Sequence, residues 1–485
     1  MTRENRGNRG SGRQGTLVTE PNELVEIRSG AYHDSVTLMR AGRRLAERPG
    51  VTAALTAMAT TLNVDLLAEM GFTPPPGARP DDLLVAIRAD DPATLEAARA
   101  TVDELLTTRA APRAFGAPPP PRTTGSAARR IDATVALVSV PGPYAFAEAM
   151  DALDAGLNVM VFSDNVPVEH ELELKETAAR RGLLVMGPDC GTAAIGGVGL
   201  GFANVVRPGR IGLVAASGTG AQQVMSLLDE AGAGVSHVLG VGGRDLSAEV
   251  SGRSTLQALR ALDADPATDL IVVVSKPPAP EVGDLIRSAA RRLSTPVRFG
   301  LLGEGGDDLT TVVEDTLGAV GVAVPTWPSW LPSRPVRSPR PGPVRGLFAG
   351  GTLCEEAAIV AGTAPHEMTD LGDDRYTRGR AHPMIDPTLR LERLAAEAAG
   401  GACAALLIDV VLGHGAEPDP AAALVPVIEK AVGTDGVPVV VSLCGTSGDP
   451  QGRDRQAEAL AAAGAAVFAS NAAATRHAVS LAEGS

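Results

Sequence analysis

"GRIGLVAASGTGAQQVM", residues 209–225, runs a hydrophobic stretch, Ile211 to Ala215, straight into a turn of small residues, Ser217-Gly218-Thr219-Gly220, with helix-forming sequence behind it. Strand, tight turn and helix in that order make half of a βαβ unit. The turn then falls at a helix N-terminus, where backbone N–H groups lack intrahelical partners and the helix dipole is positive. Ser217, Gly218, Thr219 and Gly220 would offer amides and two hydroxyls to a phosphate or carboxylate, and glycine lets an oxyanion come close to the backbone. A plain N-cap serine produces the same pattern.

The layout has an echo. "FAGGTLCEEA", residues 348–357, repeats it with Gly350, Gly351 and Thr352 at the turn. Around the first turn, strands at 211–216, 235–240, 270–275 and 297–302 alternate with helices at 219–232, 253–263 and 280–292 in a flavodoxin-like pattern. Around the second, strands at 344–350, 403–413, 438–445 and 465–470 alternate with helices at 352–361, 420–432 and 452–463. Upstream, strands at 133–140, 158–163 and 183–188 with helices at 144–155 and 168–181 read as a Rossmann-type parallel sheet. Strands at 23–29, 51–58 and 82–89 with helices at 34–46, 63–69 and 92–107 read as a small, ferredoxin-like α+β sandwich.

Two stretches rich in Pro, Arg and Ser, 109–130 and 328–343, read as linkers. The expected organisation of this multidomain α/β chain is a disordered tail at 1–22, an α+β domain at 23–108, a linker at 109–130 and a Rossmann-like domain at 131–206. A flavodoxin-like domain at 207–327, a linker at 328–343 and a second flavodoxin-like domain at 344–485 complete it.

Composition narrows the function. A formal net charge of −14 argues against a nucleic-acid partner, whose phosphates call for a basic face. No apolar run is long enough for a membrane span, and no signal peptide is evident, so a cytoplasmic location is expected. Cys190, Cys354, Cys403 and Cys444 are scattered without metal-ligand spacing, so no metal is expected.

Further glycine-rich loops follow predicted strands, where open α/β sheets collect ligands: "VPGPYAF" (140–146), "GPDCGTAAIGGVG" (187–199), "GVGGRDLS" (240–247) and "GTSGDPQG" (445–452), the last with Gly445 and Thr446 as phosphate candidates. "RYTRGRAHPMIDPTLR", residues 375–390, gathers Arg375, Arg378, Arg380, His382 and Arg390 without an apolar stripe, a composition suited to gripping a carboxylate or phosphate through arginine forks. "DVVLGHGAEPDPA", residues 409–421, adds His414 as an acid/base candidate.

The run from "VALVSVPGPYAF" through "GPDCGT", "RIGLVAASGTGAQQVM" and "GVGGRDLS" resembles the α subunit of succinyl-CoA synthetase and its acyl-CoA synthetase relatives over about residues 130–305. With the N-terminal domain and the "GGTLCEEA", "HPMIDP" and "CGTSGDPQ" segments, the whole chain is identified as a member of the FdrA family. The resemblance implies CoA-type loops at Val140, Pro141, Pro143 and Tyr144 and at Gly187, Pro188, Asp189 and Cys190. It also implies a phosphate-holding helix at Ser217, Gly218 and Thr219. One departure bears on mechanism: the synthetases carry a phosphorylated histidine in a GHAG motif where this chain reads "GLLGEGGDDLTT". A phosphohistidine relay needs that nitrogen nucleophile.

Related members are associated with oxamate carbamoyltransferase of allantoin and purine catabolism, which interconverts carbamoyl phosphate plus oxamate with oxalurate plus phosphate. The resemblance therefore implies a carbamoyl-phosphate-dependent or acyl-phosphate-dependent transferase subunit acting on small molecules, with carbamoyl phosphate or phosphate as ligand. It also implies heteromeric partner subunits or a homo-oligomer. The alternatives are an NDP-forming acyl-CoA ligase that still binds CoA and works with a nucleotide-binding partner, and a non-catalytic scaffold subunit.

Overall fold

A computed structural model describes residues 17–20, 22–29, 33, 35–80, 82–106, 121–303, 306–333, 342–377, 382–433 and 436–483. The chain divides into two compact units, Met1–Pro119 and Pro120–Ser485.

The first unit contains β1 (Leu17–Glu20), β2 (Glu23–Ser29), α1 (Ser35–Ala46), β3 (Val51–Met58), α2 (Thr61–Glu69), β4 (Asp82–Ala89) and α3 (Pro92–Leu106). Its antiparallel sheet has the order β1-β2-β4-β3. This is a split β-α-β sandwich of ferredoxin-like character with β1 filling the fourth strand position. Leu17–Glu20 falls within the expected disordered tail but forms a strand, because it pairs with β2 from Leu17 opposite Glu26 to Glu20 opposite Glu23. Alternation along β4 serves two cores: Leu83, Val85 and Ile87 join Leu45 and Val102 on one face, while Leu84 and Ala86 join Leu67 and Phe72 on the other.

The second unit begins with α4 (Thr124–Ala128), β5 (Val135–Val138), α5 (Gly142–Asp154), β6 (Asn158–Val161), α6 (Val168–Arg181) and β7 (Val185–Met186). Helix α4 lies within the expected 109–130 linker, where Thr123 and Ser126 form a capping box. The parallel sheet runs β5-β6-β7. Its order never reverses, so these strands have no switch-point crevice of their own, and the Rossmann expectation is met only by half a fold.

Next come β8 (Thr192–Ile195), β9 (Val198–Gly201), β10 (Ile211–Ala216), α7 (Gly218–Glu230), β11 (His237–Gly240), α8 (Arg253–Asp263), β12 (Leu270–Ser275), α9 (Pro280–Ala290), β13 (Val297–Leu301) and α10 (Leu309–Ala319). The sheet order is β13-β12-β10-β11-β8-β9. The β8–β9 hairpin is built from the segment expected to be a loop at 187–199. Gly196 and Gly197, at φ 57° and 83°, form its two-residue turn, which needs positive φ at both positions.

The chain ends with β14 (Ser329–Trp330), β15 (Val344–Phe348), α11 (Gly351–Ala361), β16 (His366–Asp370), α12 (Asp374–Thr377), α13 (Thr388–Gly400), β17 (Ala405–Val411), α14 (Pro420–Val432), β18 (Val439–Cys444), α15 (Arg453–Ala462), β19 (Ala466–Phe468) and α16 (Asn471–Glu483). The order β14-β19-β18-β17-β15-β16 places β15 to β19 in the flavodoxin-like 2-1-3-4-5 arrangement. β14, within the expected 328–343 linker, adds antiparallel to β19.

The two flavodoxin-like sheets are tied together. Asp449 accepts from Asn204 Nδ2 (2.8 Å) and the Val205 amide (2.7 Å), Gln223 donates to the Ala469 carbonyl (3.0 Å), and the Thr310 and Ser470 hydroxyls lie 2.7 Å apart. In each sheet the strand order reverses beside the first strand, between β10 and β12 and between β15 and β17. Ligands of open α/β sheets sit outside the carboxyl ends of strands at such points.

Candidate functional site

Ser217 follows β10 and Gly350 follows β15, so the two small-residue turns open at the two switch points. They face each other. The Ser217 hydroxyl accepts the Gly220 amide (2.9 Å) as a normal N-cap and donates to Thr352 Oγ1 (2.6 Å). Glycine permits the approach: a Cβ on Gly350 would stand 2.9 Å from Thr219 Cβ, and one on Gly220 would stand 3.1 Å from Thr352 Cγ2. Among the described residues no acceptor takes the amides of Gly218, Thr219, Gly351 or Thr352. Two positive helix ends with unused donors thus border one space, an arrangement that favours an anion.

The second turn is held from beneath. Asp409, in the middle of β17, accepts the Ala349 and Gly350 amides, each at 2.7 Å, and Arg390 Nη1 at 2.9 Å. Asp409 is fully buried and Arg390 only 4% exposed. Burial pushes the Asp409 carboxyl above the ordinary carboxylate range, against the pull of Arg390 and the two amides. The sequence carried a sign of this group, a lone acid in the otherwise apolar run "LLIDVV".

Lys276, just past β12, and Asp370, at the end of β16, crowd the open side of Gly351, where the Lys276 ammonium would lie 2.7 Å from an added Cβ. Burial raises the Asp370 carboxyl and the Lys276 charge opposes that rise. Beside them His382 accepts the Met384 amide on Nδ1 (3.2 Å), which assigns the ring proton to Nε2. Burial lowers this imidazole to about 4. It is a neutral hydrogen-bond donor at neutral pH, not a general acid.

A narrow cleft beside the first turn is lined by Asp189, Cys190, Thr192, Ser217, Gly218 and Gly240, bringing the 187–199 and 240–247 loops to the 217–220 turn. Cys190 Sγ lies 3.3 Å from the Gly240 carbonyl, and burial pushes its thiol up to about 12, so it stays protonated and is no nucleophile. Gly187, Pro188 and Asp189 reach the end of β6 through Asp189 N–H to the Ser163 carbonyl (2.9 Å). Ser163 in turn donates to Val140 (2.5 Å), next to Pro141 at the start of α5 with Pro143 and Tyr144.

Other expected site residues fall elsewhere. Thr446 gives its hydroxyl to the Val205 carbonyl (2.6 Å) and its amide to Asp449 (2.8 Å). It is a clasp between the two sheets whose donors are already spent, so Thr446 leaves the set of phosphate ligands. Arg375 is exposed, pairs with Asp373 (3.5 Å) and lies over Tyr376. Arg378 and Arg380 lie outside the described residues. His414 is exposed, and its amide donates to Ala203 (2.8 Å). Lys276, Asp370 and Asp409 were missed as site residues, because only the fold brings their strand ends together.

Residues 22–119 match the family described as AllF, heavy metal-associated domain, and residues 347–481 match the CoA-ligase family. The first name implies a soft metal, but residues 22–119 hold no cysteine and a single histidine, His33, so the donors do not fit one. Succinate–CoA ligase subunit alpha 2 of Archaeoglobus fulgidus is 32% identical over 31% of this chain, which spans about half (52%) of that relative. Two solved structures align at 17% identity. The dinucleotide-forming acetyl-CoA synthetase 1 of Ca. Korarchaeum cryptofilum has TM-score 0.28 over 72% of this chain and 84% of its own, and the ATP citrate lyase of Methanothrix soehngenii has 0.34 over 42% and 43%. The match over residues 347–481 marks that part of the chain as a CoA-ligase-type domain. The uncharacterized protein YahF of Escherichia coli K12 is 36% identical over 92% of this chain and 96% of its own length, and the chain belongs to the YahF family.

Proposed function

We propose that this protein is an FdrA-type subunit of a carbamoyl-phosphate-dependent or acyl-phosphate-dependent transferase, of the kind that exchanges carbamoyl phosphate plus oxamate with oxalurate plus phosphate. The observation that carries the reading is the meeting of two helix N-termini at the Ser217–Thr352 hydrogen bond of 2.6 Å. As the acceptor's nitrogen bonds to the carbamoyl carbon, the bond from that carbon to the phosphate's bridging oxygen breaks, its electron pair leaves as negative charge on the departing phosphate, and the nitrogen's proton passes to that phosphate or to solvent. Amides of Gly218, Thr219 and Gly351, with Lys276 beside them, would meet that charge without rearranging. No covalent relay is needed, in keeping with the absence of histidine from "GLLGEGGDDLTT".

A ligase reading uses the same cradle for an acyl phosphate and is favoured by one observation, the cleft that joins Asp189 and Cys190 to Ser217. Heteromeric partner subunits would supply the remaining groups in either case. No described helix is long and apolar enough to cross a membrane, and we place the reaction in the cytoplasm. The test is an assay of the full chain, with its co-purifying subunits, for phosphate release from carbamoyl phosphate in the presence of oxamate, run beside ATP- and CoA-dependent thioester formation. Oxamate-dependent phosphate release supports the transferase. Thioester formation without it selects the ligase.

A further inference from the structure

The paired turns carry an acid at a place where an anion site would be expected to exclude one. Asp370, at the end of β16, and Lys276, past β12, lie over the same side of Gly351, the first residue of α11: a Cβ there would collide with Asp370 Oδ2 and stand 2.7 Å from Lys276 Nζ. Asp370 Oδ1 accepts the Gly372 amide (2.8 Å), and among the described residues neither Oδ2 nor the Lys276 ammonium has a hydrogen-bond or ion-pair partner. Lys276 is exposed, so this edge of the cradle is open to solvent and needs no closed cavity. On the inner side Thr352, 3% exposed, accepts the Ser217 hydroxyl proton, and its own hydroxyl proton has no acceptor among the described residues. A buried donor ordinarily finds an acceptor, which points to a ligand oxygen. The free amides, the Thr352 hydroxyl and Lys276 all donate, whereas an ionised Asp370 Oδ2 can only accept.

We infer that Asp370 is a specificity-determining residue of the cradle, which admits an oxyanion that still carries a proton and refuses a fully ionised one of the same shape. The form it takes is a phosphate bearing a P–OH group, such as hydrogen phosphate. The ionised oxygens meet the amides, the Thr352 hydroxyl and Lys276, and the P–OH donates to Asp370 Oδ2. Sulfate is tetrahedral and doubly charged like hydrogen phosphate but has no proton at neutral pH. It would set an oxygen lone pair against the carboxylate with nothing between them, and this repulsion is the selective element. The inference rests on the cradle of the transferase reading and deepens it, because a phosphate that departs with the acceptor's proton is the form that Asp370 would hold.

The test is calorimetric titration of the full chain with phosphate and with sulfate at about pH 8, where carboxylates are ionised, in wild type and in Asp370→Asn. Wild type binds phosphate about 100-fold more tightly than sulfate, or better. Asp370→Asn keeps a side-chain oxygen for the Gly372 amide and turns an N–H toward the cradle. Sulfate then gains affinity, and the two anions come within about three-fold of each other. The wild-type ratio reads the inference without any variant, so poor folding of Asp370→Asn does not shield it. Equal affinity of wild type for the two anions, or an unchanged ratio in a folded Asp370→Asn, overturns the role of Asp370 and leaves the cradle standing. Binding of neither anion removes the cradle itself, and with it both the role of Asp370 and the support for the transferase reading.

Discussion

Ser217 and Thr352, 135 positions apart in sequence, share a hydroxyl–hydroxyl hydrogen bond of 2.6 Å that joins the starts of α7 and α11. Each hydroxyl belongs to a separate flavodoxin-like sheet, and each turn opens where its sheet reverses strand order. The bond therefore fixes the distance between two positive helix ends, and the integrity of that distance is what the following variants probe.

Gly350→Ala places a methyl 2.9 Å from Thr219 Cβ and must push the turns apart. Overpacking of this kind costs about 1–3 kcal/mol. The expected outcome is a moderate loss of stability in urea with a larger loss of phosphate binding by calorimetry; retention of full phosphate affinity would show that the spacing is not needed.

Asp409→Asn keeps the shape and removes the charge that faces Arg390. An unpaired buried guanidinium costs about 3–5 kcal/mol. Guanidinium denaturation should show a loss of that order, and a change below about 1 kcal/mol would mean that Arg390 finds water or another acceptor.

Burial holds the folded His382 imidazole at about 4, below its ordinary value of 6.5. The unfolded chain thus binds the extra proton first as pH falls, so the contribution of this residue is complete above about 6.5 and is lost as pH drops toward 4, by roughly 3 kcal/mol at most. Stability measured from pH 7 to 4 should fall more steeply in wild type than in His382→Asn. Parallel curves would rule out an imidazole held neutral by the fold.

Glu356 gives the opposite sign. It is buried at 1% exposure, accepts the Leu309 amide and Asn471 Nδ2, each at 2.7 Å, and burial raises it to about 7. Its stabilising contribution is full below the ordinary carboxyl value of 4.5 and fades as pH rises through about 7. Glu356→Gln, with the Asn471 amide turned over, should match wild type near pH 5 and exceed it at pH 8. Equal stability at both would contradict the raised carboxyl.

Much of this fold was legible because its central strands are unbroken runs of Val, Ile, Leu and Ala; β10, β12, α6, α8 and α14 stand at their expected bounds. The hairpin β8–β9 was hidden by its glycines, although two flanking β-prone segments around Gly196-Gly197 carry the signal. Strand β16, "HEMTD", has no apolar stripe because it is a partly exposed sheet edge, and α13 was masked by the prolines and arginines before it. Both small-residue turns were visible as separate units. Their meeting was not, since pairing two helix starts depends on how two sheets pack. Arg390 read as one of the arginines of 375–390 suited to gripping an anion, yet it is buried, because its helix docks against β17 and gives it Asp409 as partner.

The most direct test of the paired-turn cradle is a thermal-shift titration of the full chain with phosphate, carbamoyl phosphate and CoA, in wild type and in Thr219→Pro, which removes one of the unused amides of α7. A ligand specific for the folded state must raise the Tm. Phosphate and carbamoyl phosphate should raise the Tm of the wild type and not of the variant, with no effect of CoA on either. No shift with phosphate, or the same shift in Thr219→Pro, would contradict the cradle.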